Sequence, residues 1–232
     1  MTRNTFLLSL MLLLLLPATN YPQSLSIGFG ASLLSVQSPS FYTDGIGLPG
    51  YYIVNGIQGS EYNGLNLGRE FQLNSLVGYR LQGLPIGLAL QVNYTFLRGH
   101  GDSYFWDDMI RQNIPTKVTT QLDLLTVALA ANCYIIRGDL SPFVTLSAQL
   151  NDFSDTRLRH EYSDILVESK NNGGGTRFGL GWGAGTDIRI LSRLSLRAFG
   201  SYDIQNLGGR NLGEGLMRSL SLGAIFLYNV LN

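Results

Sequence analysis

The sequence predicts an all-β fold, an eight-stranded antiparallel up-and-down transmembrane β-barrel, and three observations lead there. In the first, Ile86, Leu88, Leu90, Val92, Tyr94 and Phe96 alternate with Gly87, Ala89, Gln91, Asn93 and Thr95, the period of a β-strand. One face of that strand is large, apolar and aromatic-tipped and the other small and polar, which suits a wall between lipid and a hydrated lumen. The pattern recurs about eight times along the chain. The second observation is an export leader ahead of the first strand. The third is that the connections between strands alternate short and long.

The leader comes first in the chain. Arg3 precedes an apolar run from Phe6 to Leu16, too short to cross a bilayer as a helix, which takes ~20 residues, but the length of a signal-peptide core. Residues 1–22 are therefore expected to be a signal peptide and 23–232 a single outer-membrane barrel domain. The cleavage site is placed only between Ala18 and Ser24. After the leader no stretch of ~18 apolar residues occurs, so a helical membrane protein is excluded. The only cysteine, Cys133, falls inside a predicted strand, which removes both a lipid anchor behind the leader and an internal disulfide. Sixteen basic and sixteen acidic residues cancel, so no electrostatic pull toward nucleic acid is expected.

The strands follow in order. The first is predicted over residues 25–36. The second, 69–81, has Phe71, Leu73, Val77 and Tyr79 outward against Glu70, Gln72, Asn74 and Arg80. The third is 86–97. The fourth, 121–136, changes phase: Leu122 and Leu124 start on one side and Leu125, Val127, Leu129, Ala131 and Ile135 continue on the other, for which a β-bulge near Leu124 is the expected remedy. The fifth, 142–150, turns Val144, Leu146, Ala148 and Leu150 outward. The sixth is 176–190, the seventh 194–204, and the eighth, 218–230, has Leu220, Leu222, Ala224, Phe226 and Tyr228 outward.

Gln82 to Pro85, Arg137 to Leu140 and Leu191 to Arg193 are tight turns, whereas the other connections run from about a dozen to about thirty residues, as outer-membrane barrels pair short periplasmic turns with long extracellular loops. Both termini are then periplasmic. Turn length and strand parity agree at all three turns. Phe71, Tyr94, Phe96, Phe178 and Tyr202 fall near the outer rim and Tyr79, Phe226 and Tyr228 near the inner rim, which makes two interfacial girdles.

Inside the barrel the same parity collects Glu70, Arg80, Arg177, Asp187, Arg189, Arg197 and Asp203. Pairing Ile190 with Leu194 sets Asp187 opposite Arg197, an expected lumen ion pair. An eight-stranded barrel is just wide enough for side chains to fill, so a solid polar core is expected, with a gated ion path as the alternative. Gly179, Gly181, Gly183 and Gly185 all face inward and leave room for neighbours such as Phe199; they open no helix and so make no nucleotide loop.

Other motifs carry less chemistry. His100-Gly-Asp102-Ser103 and His160-Glu161 hold residue types that outer-membrane lipid-modifying enzymes use, but as loop residues without a fixed geometry they are weighed as ordinary exposed polar groups. No metal-ligand spacing and no cofactor motif is present. Arg137-Gly138-Asp139 reads as turn chemistry, and Asn93-Tyr94-Thr95 as strand. Tyr51 and Tyr52 in the first long connection and Tyr104, Phe105 and Trp106 in the second are candidate contacts for a partner, glycan or lipopolysaccharide, or else a cap packed over the rim.

Leu122 to Tyr134 with Arg137 to Ala148, Phe178-Gly-Leu-Gly-Trp-Gly-Ala-Gly185 and Leu220-Ser-Leu-Gly223 resemble the outer-membrane β-barrel domain family that includes PorT-like proteins. The resemblance spans the mature chain and rests on strand patterns. It implies an eight-stranded barrel inserted by the outer-membrane assembly machinery, with no catalytic residues to carry over, and for PorT-like members assistance to protein secretion. Leu231-Asn232 stands where such barrels usually end on an aromatic, which assigns the insertion signal to Phe226 or Tyr228. The expected function is non-enzymatic: a bacterial outer-membrane barrel in contact with lipid and lipopolysaccharide, presenting loops for structural or partner-binding work. A lipid-modifying enzyme and a small gated channel are the alternatives, and a soluble barrel, with apolar residues inside, is the outside one.

Overall fold

The computed structural model describes residues 24–37, 53–54, 57–59, 69–81, 84–107, 112–136, 138–162, 165–171, 174–210 and 216–230. The leader expected at residues 1–22 lies outside them, as do Tyr51 and Tyr52. Eight long strands form the wall: β1 Ser24–Gln37, β2 Arg69–Arg80, β3 Ile86–Asp107, β4 Gln112–Tyr134, β5 Leu140–Phe153, β6 Gly175–Arg189, β7 Leu194–Gly208 and β8 Arg218–Asn229. Each pairs antiparallel with its neighbours in the chain, and β1 closes on β8 from Ser26↔Asn229 to Gln37↔Arg218. The barrel therefore has no open edge in its wall.

The stagger of the closure follows from residue partners. Asp187 pairs Arg197, which pairs Ile225, then Gly30, Asn74, Asn93, Thr126 and Asn151, and Asn151 pairs Arg177. One circuit of the wall thus returns to β6 ten residues from its start, which for eight strands at standard spacings is a tilt of roughly 40°.

The faces divide by size and polarity. Phe29 is 67% exposed, Leu222 63% and Leu146 62%; such values for large apolar side chains are found where the outside is lipid and not water. Gln72, Asn74, Gln149, Asn151, Arg177, Asp187, Arg197 and Asp203 are buried within. A soluble barrel would have these faces exchanged. Among the lipid-side aromatics Tyr94 and Phe96 meet edge to face at 4.8 Å, and Trp182 packs against Tyr202 at 4.9 Å with the rings tilted by 42°.

Three features differ from the sequence expectations. β4 has no bulge near Leu124: its ladders with β3 and β5 run without a shift, and Leu122 and Leu124 simply point inward with Thr126, Ala128 and Ala130. The irregularity lies instead in β6, between Phe178 and Leu180 where it faces β7. The long connections also hold strands. β3 and β4 stay paired as far as Asp107↔Gln112, and Ile53–Val54, Ile57–Gly59, Thr156–Tyr162 and Ile165–Asn171 join them. Backbone polar groups leaving the wall need partners, and continuing the ladder supplies them. The result is a sheet that rises from one side of the barrel at its long-connection end.

Candidate functional site: the barrel lumen

The inward side chains form four layers. At the tight-turn end, Arg197 Nε donates to Asp187 Oδ1 at 2.7 Å and Nη2 to Oδ2 at 2.9 Å, a two-point clasp between side chains 6% and 7% exposed. Arg80 Nη2 donates to Asp187 Oδ2 at 2.7 Å, and the Tyr134 hydroxyl donates to the same oxygen at 3.0 Å while accepting from Arg197 Nη2. The aromatic faces complete the cage, with Arg80 3.9 Å over the Tyr134 ring and Arg197 4.6 Å over Phe143. Cations stacked on rings lose less on leaving water. Two strands and a three-residue turn set this up locally: Ile190 N bonds Leu194 O at 2.9 Å, and the register then places Asp187 across from Arg197.

Above the cage sits an apolar collar of Leu76, Ala89, Ala130, Ile225 and Leu227, with Phe199 packed against it. A polar network follows. Gln72 accepts from Ser32 and donates to Thr95, Asn74 donates to Ser32, Gln149 and Ser201 donate to Asp203, Thr126 donates to Asn151, and Gln205 donates to Ser219. At the long-connection end the lumen turns apolar again: Leu34, Val36, Leu97, Leu122, Leu124, Phe153 and Met217 are buried. Strands β1, β3, β4 and β5 and the segment before β8 contribute to this cap.

Two cavities lie between the layers. One of about 120 Å³ opens at the turn end among Arg80, Tyr134, Asp187, Arg189 and Arg197, and one of about 50 Å³ lies in the polar network. They share Asn132 and Arg197 as walls. Asn132 Oδ1, Thr145 Oγ1, Gln149 Oε1 and Gln205 Oε1 line the inner one without protein partners, the setting in which buried water is held. The polar cage and the polar network are thus separated by the apolar collar, and apolar side chains close the lumen at its long-connection end. A chain built this way should show no steady conductance in a planar bilayer, and an open state that changes with Arg197→Ala would show an ion path instead.

The sequence-derived site residues distribute unevenly over these layers. Asp187, Arg197 and Arg80 come together. Asp203 is buried in the polar network, and Arg177 is buried at the opposite end, 5.9 Å over the Phe153 ring. Glu70 faces inward near that end, half-buried. Arg189 projects from the turn-end rim with its side chain 57% exposed and pairs Asp139 at 3.3 Å, so it lies outside the packed cage. Tyr134 and Phe143 were not anticipated, although the outward positions Leu129 and Val144 fix them as inward by parity. The inward glycines sit against crowded neighbours: Gly185 is paired with Phe199, and a Cβ on it would meet the Ala198 carbonyl oxygen and the Phe143 ring, while one on Gly181 would overlap Asp203 and Gln149.

Tyr104, Phe105 and Trp106 occupy the extended part of β3, opposite Pro115, Ile114 and Asn113; their side chains lie outside the described residues. So do those of His100 and His160, whose strand positions pair with Thr119 and Val118 respectively. Adjacent residues of a strand alternate faces, so the two histidines sit in rows of opposite alternation. No group of three or more His, Cys, Asp or Glu that could hold a metal occurs among the described residues.

The family model for the outer membrane protein beta-barrel domain matches residues 8–219. No curated protein matches the chain. Similar solved structures include the neisserial surface protein NspA, 16% identical, covering 88% of this chain and 96% of that one with a TM-score of 0.45. A major outer membrane protein from Thermus thermophilus is 13% identical, covering 89% and 98%, TM-score 0.48. The outer membrane protease OmpT from Escherichia coli is 8% identical, covering 89% and 95%, TM-score 0.38.

Proposed function

The chain belongs to the outer membrane protein beta-barrel domain family, and from that premise we propose that it is a non-enzymatic barrel whose lumen is a structural core and whose rising sheet is a contact surface for a protein partner. Its place is the bacterial outer membrane. The tight turns and both termini face the periplasm, and the long connections face outward, in keeping with the general asymmetry of such barrels. The observation that carries the reading is the sheet: β3 and β4 remain paired through Asp107↔Gln112, far past the last lipid-facing aromatic Phe96, and two further hairpin segments add to them. Long connections without a task are uncommon. The finer role follows the PorT-like resemblance, assistance to secretion or envelope assembly. The other contacts are outer-membrane lipid, lipopolysaccharide and the assembly machinery, with no cofactor and no nucleic acid.

Replacing residues 99–120 by a short turn tests this. The shortened protein is expected to keep a heat-modifiable barrel, because the layers of the lumen lie below the excision, and to lose delivery of secreted cargo in cells that depend on it. Delivery at the full-length level would sink the contact-surface reading. An epitope inserted between Asp107 and Gln112 should be labelled on intact cells and one placed after Asn232 only after permeabilisation; the reverse pattern would invert the orientation. Lipid mass spectrometry on cells expressing wild type, His100→Ala or His160→Ala should give identical lipid A, whereas a modification lost with either substitution would make the chain an enzyme.

A further inference from the structure

The rising sheet leaves the wall through a row of cations on its lipid side. Arg98 is two residues past Phe96 on the outward face of β3, pairs Gln121 of β4, and Gln121 pairs Arg157 of Thr156–Tyr162. Residues paired across strands share a face, so Arg98 and Arg157 project from the same side as Phe96, and both are exposed. The register continues to Lys170. On the other side of Arg98, the β2–β3 register that sets Gln72 opposite Thr95 brings exposed Arg69 level with Arg98.

The rows above this one set cations and acids at paired strand positions. Arg159 pairs Glu168, and Lys117 pairs both Glu161 and Asp102. The lowest row holds the exposed cations Arg69, Arg98 and Arg157 with a neutral glutamine between the last two, and among the described residues no acid stands at a paired strand position within it. A row of like charges at one height attracts an anion. Asp123 lies on the same face one row down, across from Phe96. The row also has a fixed height, one step above the aromatic residue that marks the edge of the hydrocarbon.

We infer that Arg69, Arg98 and Arg157 bind the phosphate groups of an anionic glycolipid of the outer leaflet, of the lipid A type. Arginine forks take phosphate oxygens in pairs, and the acyl chains beneath would lie along the exposed face that Phe71, Leu73, Val92 and Phe96 provide. This rests on the orientation proposed above, which the epitope experiment tests independently.

The folded protein in a neutral detergent, titrated with diphosphoryl lipid A and followed by its shift in heat-modification temperature, tests the assignment. Wild type is expected to bind, and the double variant Arg98→Gln/Arg157→Gln to bind roughly 25-fold more weakly, a factor of about five for each lost charge at a lipid surface. Lys117→Gln, at a position paired with acids, should bind like wild type. Dephosphorylated lipid A should bind no better than the double variant does, and inorganic phosphate alone should cause no shift. Equal binding by wild type and the double variant, an equal loss in Lys117→Gln, or an inorganic phosphate shift as large as that of lipid A would each overturn the site. Phosphatidylglycerol vesicles shifting the protein as much as lipid A would overturn the choice of ligand.

Discussion

Asp187→Ala should fold into a barrel that loses its heat-resistant form well below the wild-type temperature, with a stability cost of about 3 kcal/mol or more. The reason is convergence. Three donors from three other strands meet on one carboxylate, Arg80 and Arg197 at 2.7 Å each and Tyr134 at 3.0 Å, and its removal leaves two guanidinium groups facing each other. Arg197 is almost fully enclosed, so its charge would stay buried without a counterion. Arg197→Ala should cost somewhat less, since the buried carboxylate loses its two-point partner but keeps Arg80 and Tyr134. Arg80 is a third exposed at its side chain, and water can replace its partner, so Arg80→Ala should cost only about 1 kcal/mol or less. Tyr134→Phe keeps the ring under Arg80 and loses one hydroxyl, a change of about 1 kcal/mol. The double variant Asp187→Ala/Arg197→Met should recover part of the loss of either single change, because the one charge left without its partner, Arg80, is a third exposed and can be hydrated. Urea unfolding in detergent, read on a gel, gives these values; strictly additive losses, or single variants as resistant as wild type, would mean that the cluster does not act as a unit.

The cluster was half legible in the sequence, and the half that was hidden shows where sequence reading stops. Asp187 and Arg197 sit ten residues apart around a short turn, so parity and turn length alone set them opposite. Arg80 is distant in the chain and reaches Asp187 only because the tilt of the wall brings β2 and β6 to the same end of the lumen, and that tilt depends on how β1 meets β8. Nothing local records it. Outward faces were legible because lipid demands large apolar side chains there. The apolar cap was not, because an inward leucine and a lipid-facing one are the same letter: Leu122 and Leu124 looked like a phase error and are a lid of hydrocarbon at one end of the lumen. The rising sheet was hidden for the opposite reason. From Arg98 onward the alternation of large apolar and small polar residues that marks a wall strand disappears from the sequence.

Gly30→Ala should be among the most damaging single-methyl additions in this protein, and the seam between β1 and β8 explains why. Gly30 lies in extended strand with its hydrogens toward the lumen, so glycine supplies space there and not an unusual backbone angle. A Cβ at that position would overlap the Ala224 carbonyl oxygen and stand 2.6 Å from Ile225 Cα. Both belong to the backbone of β8, which cannot turn aside as a side-chain tip can. The strands would have to part at the joint where the first and last strands close the barrel, and every ladder bond near it would lengthen. Gly28, two residues away on the same face, provides the control: a Cβ there would meet the side chains at Leu227 Cδ2 2.6 Å and Ile225 Cγ2 2.7 Å, with the nearest backbone atom, Phe226 O, at 3.0 Å, so most of the strain falls on side chains that can shift. Overpacking costs about 1–3 kcal/mol and more where the neighbour cannot move, so Gly30→Ala is expected at or above the top of that range and Gly28→Ala near the bottom. The fraction of each variant that refolds to the heat-modifiable form, with its urea midpoint, measures the difference. If Gly30→Ala refolds as completely and resists urea as well as wild type, or if Gly28→Ala is the worse of the two, the close approach of β8 at Gly30 is not what holds the seam.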